Sequence, residues 1–297
     1  MDFVAGIDGG GTKTTVLCHY IEDGHYEEKR FGAFNINSIG EPAFIELLDE
    51  IIAYLKSLGT CRALVIGAAG ISNKRMGEIV SEKLKEAGIA LWDLVGDSAI
   101  ALEGALDGGP GISLIAGTGS ICFGKGPDGT LQRAGGWGHL IGDEGCGYGL
   151  GRDAFFALTK DRDGYGKKTM ITQLVADKLG LDHESKIISY VYRNDKSAVA
   201  ALSPIVEEAY DAGDEVAVEI VKSNALALAR IVKCVSDKLA LDKPAVATLG
   251  GLIAKDTCMR KELKAALDSI APETECIYPI KDAAQGAIML AHKLLGA

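Results

Sequence analysis

One order of elements, three strands followed by helix, strand, helix, strand and helix, can be traced twice along this chain, and that recurrence narrows its possible folds more than any single motif does. In the first copy, strand-like runs lie at Phe3 to Ile7, Lys13 to Tyr20 and about His25 to Ala33. Between Glu41 and Leu58, Phe44, Leu47, Leu48, Ile51, Ile52 and Leu55 recur at helical spacing. A strand at Ala63 to Gly67, a helix at Lys74 to Ala87, a strand near Leu91 to Val95 and a helix from Ser98 to Leu106 complete it. From Gly111 the order restarts, with strands at Ile112 to Ala116, Ile121 to Gly124 and around Leu131 to Ala134, then helical sequence. After a helical insertion from about Lys167 to Leu241 come a strand at Ala245 to Leu249, a helix near Met259 to Ile270, a short strand at Glu275 to Tyr278 and a closing helix from Asp282 to Leu295. Strands alternating with helices predict sheets covered by helices.

Glycine turns recur at matching places. Asp8-Gly9-Gly10-Gly11-Thr12 in the first copy corresponds to Gly117-Thr118-Gly119-Ser120 in the second, each between the first two strands; Gly67-Ala68-Ala69-Gly70 corresponds to Gly250-Gly251. This predicts two related domains facing each other across a cleft, with a nucleotide held by both hairpins; chance turns in a glycine-rich chain are the competing reading. The Val4 to Val16 stretch, V-A-G-I-D-G-G-G-T-K-T-T-V, sets a run of glycine N–H groups beside a carboxylate, which is how phosphates and their Mg²⁺ are cradled. It is not a Walker A loop, since Thr12 stands at that motif's second glycine, nor a dinucleotide fingerprint, since Thr14 stands at its third. Strand-like sequence follows from Thr14 to Cys18, so the glycines form a hairpin between strands. A tight hairpin with no ligand fits the same residues.

The 297 residues, 47% hydrophobic, suffice for two ordinary domains. A net charge of −10 repels phosphate backbones and anionic membranes, which sets nucleic-acid and membrane partners aside. No apolar run reaches about 18 residues and no signal-peptide pattern opens the chain, so a cytoplasmic location is expected. Seven cysteines without a C-x-x-C argue against a disulfide framework and a zinc site, and most are expected to be small buried hydrophobes. The 38 glycines, about 13% against a usual 7%, cluster at the ends of apolar runs, as they do where backbone approaches a ligand.

Three further segments carry candidate chemistry. Leu94-Val95-Gly96-Asp97-Ser98 ends a strand with a carboxylate that begins a helix; Asp97 can cap that helix, or accept a hydroxyl proton in a phosphoryl transfer, or both. Gly135 to Gly149 holds seven glycines in fifteen residues together with Trp137, His139, Asp143 and Glu144. So costly a loop to order suggests function, and an aromatic face with carboxylates suits a sugar ring. Asp143 can also cap the helix that follows, and His139 reads as a hydrogen-bonded structural residue. Phe34-Asn35-Ile36-Asn37-Ser38-Ile39-Gly40 is a polar turn whose amides can cap a helix or bind a sugar.

In order, D-G-G-G-T-K-T, N-I-N-S-I-G, G-D-S, A-G-T-G-S and G-G-W-G-H-L-I-G-D-E-G-C-G-Y resemble the N-acetylglucosamine kinase family, which belongs to the BadF/BadG/BcrA/BcrD ATPase group of the sugar kinase, Hsp70 and actin superfamily. The resemblance covers essentially the whole chain, and the G-G-W-G-x-x-x-G-D-E-G string is its most specific part. It implies an α/β fold of two ribonuclease-H-like (actin-like ATPase) domains related by duplication, facing each other across a nucleotide-binding cleft. These are residues 1–110, completed by a C-terminal helix at about 282–297, and residues 111–281 with a helical insertion at about 150–241. ATP and Mg²⁺ are the implied cofactors, and a homodimer is implied by analogy. Asp97 matches the catalytic base. Asp8, Gly9, Gly10, Gly11, Thr12, Lys13, Gly117, Thr118 and Gly119 match ATP contacts, with Thr12 and Thr118 at phosphate and Asp8 near the Mg²⁺; Gly250 and Gly251 resemble the adenosine-binding turn.

Asn35, Asp97, Ser120, Ile121, Gly136, Trp137, Gly138, Asp143 and Gly147 match the positions that hold the amino sugar. At Ile121 the animal kinases carry a polar residue and at Asn37-Ser38 a bulkier pair, which implies a differently shaped, roomier sugar pocket. The implied activity is phosphorylation of the 6-hydroxyl of an N-acetylated hexosamine, N-acetylglucosamine first, with N-acetylmuramate or glucosamine as alternatives. ATP-driven activators of electron-transfer enzymes are the alternative of another class; their cysteines sit in glycine-rich motifs that Cys122 and Cys146 lack. A sugar-responsive regulator is a third, with no helix-turn-helix extension or basic face to support it.

Overall fold

The computed structural model describes residues 1–296. In chain order the elements are β1 (Asp2–Gly9), β2 (Thr14–Tyr20), β3 (Tyr26–Phe31), α1 (Ile36–Ile39), α2 (Glu41–Leu58), β4 (Thr60–Ala68), α3 (Lys74–Ala87), β5 (Trp92–Gly96), α4 (Asp97–Ala105), β6 (Gly111–Ala116), β7 (Ser120–Lys125) and β8 (Leu131–Gly135). They continue with α5 (Gly147–Asp163), α6 (Met170–Leu179), α7 (Glu184–Arg193), α8 (Lys196–Ala200), α9 (Ser203–Asp211), α10 (Glu215–Lys238), β9 (Ala245–Leu249), α11 (Cys258–Ile270), β10 (Glu275–Ile277) and α12 (Ala283–Leu295).

The chain forms two compact units, one from Met1 to Gly109 plus the segment from Pro279 onward, the other from Pro110 to Tyr278. The first holds a five-stranded sheet in the order β3-β2-β1-β4-β5, the second one in the order β8-β7-β6-β9-β10. In each, the first three strands pair antiparallel and the other two add in parallel beside the first. The fold is therefore α/β with one ribonuclease-H-like plan present twice.

The two periodicities of the first unit explain its layers. Along β1, Phe3, Ala5 and Ile7 point into a cluster with Phe44, Leu48, Ile51 and Leu55 of α2 and Met76, Ile79 and Val80 of α3. Val4 points the other way, into a cluster with Ile100 of α4 and Ala284, Ala287, Ile288 and Ala291 of α12. Alternate side chains on a strand face opposite sides, so a strand covered on both reads as an unbroken apolar run. The α12 face is lined with small residues because the backbones are pressed together. A Cβ at Gly6 would come within 2.8 Å of Ala287 and the Ala284 carbonyl, and one at Gly286 would overlap the Ile100 carbonyl of α4.

The second unit is built around the long helix α10, which buries Ile220, Val221, Leu228, Ala229, Val232 and Val235 in one core with β6, α5, α9 and α11. All seven cysteines are free, but only Cys18, Cys122 and Cys146 are buried; Cys61, Cys234, Cys258 and Cys276 are partly exposed, which corrects the expectation that most are buried. Among the described residues no helix is long and apolar enough to cross a membrane.

The crossing of α4 and α12 yields a paired test. Gly286→Ala is expected to destabilise by at least ~2 kcal/mol, because the added methyl meets backbone that cannot give way. Gly77→Ala, in α3 with open space at its Cβ, is expected to stabilise by about 0.5–1 kcal/mol. Urea denaturation of both variants checks this, and equal effects would refute the packing account.

Candidate functional site

In the first unit the candidate residues cluster at the C-terminal ends of the parallel strands. Strand β1 delivers Asp8 and Gly9, and Phe34 closes over Gly9, where a Cβ would lie 2.7 Å from its ring. The hairpin is pinned at its base by the Gly10 N–H donating to the Lys13 carbonyl at 3.0 Å, and by the Ala69 N–H donating to Gly9. Gly11, Thr12 and Lys13 project into solvent, and nothing lies within 4 Å of a Cβ at Gly11. Register places Asp8 opposite Gly67, and Ala68 opposite Gly96, so the ends of β1, β4 and β5 lie side by side.

Asp97 is not the cap of α4. Gly96 holds that position, and Asp97 is the first helical residue, exposed, with its Oδ1 accepting from the Ser98 N–H at 2.8 Å and no other hydrogen-bond partner among the described residues. A carboxylate there sits at the positive end of the helix dipole and keeps its outer oxygen free. Asp8 is half-buried, and burial pushes its carboxyl above the usual range, with the charges of Asp97 and Asp282 adding to the shift and Lys13 opposing it. Asn35 does cap: its Oδ1 accepts from the Asn37 N–H at 3.0 Å at the start of α1. Asn73 donates to the Asn37 side chain at 2.8 Å, and a Cβ at Gly70 would lie 3.0 Å from both the Asn35 and Asn37 amides, so these amides form one cluster. The Asn35 Nδ2 has no partner among the described residues.

In the second unit the glycine hairpin between β6 and β7 is sewn to the glycine loop that follows β8. Gly117 closes its own turn onto the Gly119 carbonyl at 2.9 Å, while its own carbonyl accepts from the Gly147 N–H at 2.7 Å. The Ser120 hydroxyl donates to the Glu144 carbonyl at 2.7 Å, and the Gly136 N–H donates to the Ser120 carbonyl at 3.0 Å. Asp143 is buried, accepts from the Gly138 N–H at 3.1 Å, and lies so close to Gly119 that a Cβ there would be 2.8 Å from its Oδ2. Its φ is +58°, a left-handed conformation that costs a non-glycine residue about 1 kcal/mol or more.

Asp143 does not cap the next helix. Cys146 does, its Sγ accepting from the Gly149 N–H at 3.4 Å. Nor is His139 held by a hydrogen bond among the described residues; its ring meets Tyr148 edge-on at 4.8 Å. Gly136 packs on Ile121, and Trp137, 64% exposed, lies under the Arg133 guanidinium at 4.9 Å.

The Gly250-Gly251 turn packs on the end of β6, with the Leu252 N–H donating to the Ala116 carbonyl at 3.2 Å. Beneath it Arg260 is fully buried, donating to Thr248 and to the Ile253 carbonyl and stacking 4.1 Å from the Tyr278 ring. Between this turn and Gly117-Thr118 opens a cavity of about 500 Å³, walled on its far side by Ser197, Ala200, Ser203, Pro204 and Glu207. Sequence reading missed that wall and Arg260. Both lie on helices whose patterns read as ordinary amphipathic surface, and only the fold brings them to the glycine turns.

The sequence model of the BadF/BadG/BcrA/BcrD ATPase family matches residues 5–291. A Clostridium acetobutylicum protein named N-acetylmuramic acid/N-acetylglucosamine kinase is 35% identical, the match covering 98% of this chain and 99% of that protein. The N-acetyl-D-glucosamine kinase of Dictyostelium discoideum is 30% identical over 96% of each chain. The solved structure of a Chromobacterium violaceum protein assigned as an N-acetylglucosamine kinase superposes with a TM-score of 0.73 at 27% identity, over 99% of this chain and 98% of that one.

The position of Asp8 fixes a pH signature. A raised carboxyl binds its proton more tightly in the folded state, so its stabilising contribution is complete below the ordinary value of 3.8 and is lost as pH rises through the raised one. At neutral pH the charged Asp8 is a burden. Asp8→Asn is therefore expected to be more stable than the wild type at pH 7, with the gap closing as pH falls towards 4. Denaturant midpoints at both pH values check it, and an Asn variant less stable at pH 7 would overturn the assignment.

Proposed function

The chain belongs to the BadF/BadG/BcrA/BcrD ATPase family, and on that premise we propose that it is an ATP-dependent kinase that phosphorylates the 6-hydroxyl of an N-acetylated hexosamine, most simply N-acetylglucosamine. The observation that carries this reading is the sewing of the β6–β7 hairpin to the Gly136–Gly147 loop, which contains Trp137 and Asp143. A glycine turn able to hold phosphate and a loop able to hold a sugar share hydrogen bonds at Gly117, Ser120 and Gly147, so neither can shift without the other. Fixed placement of two reactants is the main requirement of phosphoryl transfer, which asks little covalent chemistry of the protein.

In this reaction Asp97 accepts the proton of the sugar hydroxyl as its oxygen attacks the γ-phosphorus. The bond from that phosphorus to the bridging oxygen of ADP breaks, and the products are ADP and the sugar 6-phosphate. The free outer oxygen of Asp97 suits it to this role. The backbone N–H groups at the hairpin tips, those of Gly11 and Thr12 and of Thr118 and Gly119, bind the phosphates. Asn35, with an unpartnered Nδ2, and Asp143 bind the acetamido group and hydroxyls, and Trp137 packs the apolar face of the ring.

Mg²⁺ fits Asp8, a half-buried carboxylate whose charge is already disfavoured and which a cation would relieve. Among the described residues no three His, Cys, Asp or Glu side chains lie where they could hold a metal unaided. When bound, the ion neutralises phosphate charge. N-acetylmuramate is the second substrate reading, supported by the relative named for both sugars. Electron-transfer activation is disfavoured, since the Cys122 and Cys146 thiols are fully buried and cannot reach a cluster shared with a partner.

Coupled ADP release over N-acetylglucosamine, N-acetylmuramate, glucosamine, N-acetylmannosamine and glucose tests the reading. Turnover is expected on the first two, and none on any of the five would end it. Asp97→Asn is expected to lower kcat by a factor of about 10² or more while calorimetric sugar binding persists. Unchanged turnover in that variant would remove Asp97 from the mechanism.

A further inference from the structure

Arg133 is a charged group that the kinase reading leaves unused. It projects from β8, two residues before Gly135, and its guanidinium carbon lies 4.9 Å from the centre of the Trp137 ring. A cation over an aromatic face is held by the ring's quadrupole and keeps its five N–H donors for other partners. Those donors have no partner: the side chain is exposed and makes no ion pair or hydrogen bond among the described residues. The root of the ring is already fixed by backbone, since a Cβ at Gly142 would lie 2.8 Å from that of Trp137. Propping Trp137 therefore accounts for little of what Arg133 offers.

The surrounding charge gives an unpaired guanidinium a use. Between Leu131 and Gly151 it is the only lysine or arginine, while the same stretch carries Asp143 and Glu144 and the whole chain stands at −10. Such surroundings repel an anion unless a cation stands where the anion docks. N-acetylglucosamine is neutral and asks for no cation. N-acetylmuramate is the same sugar with a lactyl ether on its 3-oxygen, and so it bears a carboxylate. The lactyl carboxyl carbon is three bonds from the sugar ring, about 4 Å at ~1.5 Å per bond, so a sugar packed on Trp137 brings that carboxylate to the rim of the ring that Arg133 covers. A planar guanidinium meets a carboxylate with two parallel N–H bonds, a geometry that an ammonium group lacks.

We propose that Arg133 binds the carboxylate of a 3-O-lactyl hexosamine packed on Trp137, and thereby admits acidic as well as neutral N-acetylated hexosamines to the site. The inference rests on the sugar-binding part of the kinase reading, with N-acetylmuramate as a substrate, and not on the transfer step. Its test is therefore a comparison of bound sugars.

Calorimetry on the full chain with N-acetylmuramate, its methyl ester and N-acetylglucosamine separates charge from shape. The wild type is expected to bind the acid about fivefold or more tighter than the ester, as for a bidentate charged pair at a partly exposed site. In Arg133→Gln that ratio should fall below about twofold, through weaker binding of the acid. Arg133→Lys, which keeps the charge and loses the fork, should fall between the two. Lys238→Gln, which removes a second cation that donates to the Arg133 carbonyl at 3.4 Å, should leave the ratio as in the wild type. Absent binding of N-acetylmuramate, no preference for the acid in the wild type, or a preference that survives in Arg133→Gln or disappears in Lys238→Gln would each overturn the proposal. So would equal weakening of all three sugars in Arg133→Gln, the result that a mere prop for Trp137 gives. A chain that binds the acid through Arg133 but phosphorylates no sugar would keep this inference and end the kinase reading. One that phosphorylates N-acetylglucosamine without an Arg133-dependent preference for the acid would do the reverse.

Discussion

The carboxylate of Asp143 resting on the backbone of Gly119 is the contact from which the rest of the second unit's site follows. It requires that residue 119 have no side chain, that residue 143 accept a left-handed backbone, and that Gly138 turn its N–H inward to Oδ1. Each is a local cost: conformational entropy at the glycines, and about 1 kcal/mol or more of strain at Asp143. What the costs secure is rigidity. With Ser120 bonded to Glu144 and Gly147 to Gly117, a loop of seven glycines in fifteen residues becomes a fixed wall of the hairpin.

The first unit solves a related problem by close packing. Gly6, Gly104 and Gly286 let α4 and α12 press against β1 and each other at distances no side chain would allow. The same sheet face is then covered by small residues, Ala284, Ala287 and Ala291, instead of the Phe44 and Leu48 that cover the opposite face. Backbone contact is stiff, so the strand ends carrying Asp8 and Gly96 are held by this packing in addition to the sheet pairing and the Gly9 and Gly10 hydrogen bonds.

Much of this was legible in the sequence, because strand alternation, helical spacing and glycine turns are local signals. The Lys74–Ala87 helix, the Glu41–Leu58 helix and the Ala245–Leu249 strand stand where the pattern put them. Capping was less legible. Asp97 and Asp143 are good capping residues by type, yet Gly96 and Cys146 hold those positions, since the chain's approach to each helix, not residue preference, decides which side chain can reach the first N–H groups. The wall containing Glu207 was not legible at all. Its side of the cavity depends on α8 packing against the start of α5, where Gly151 lets Val199 approach, a contact between residues almost fifty positions apart that no short-range pattern encodes.

Asp8 gathers these strands of argument at one atom group. Stability alone would replace it, because burial and the charges of Asp97 and Asp282 all oppose its ionised form and only Lys13 favours it. A structural explanation would need a compensating partner, and Asp8 has no hydrogen bond or ion pair among the described residues. A half-buried carboxylate whose ionised form its surroundings oppose is instead what a site needs if the missing counter-charge arrives with a ligand. The energetic liability and the capacity to bind a cation-bearing phosphate are therefore one property.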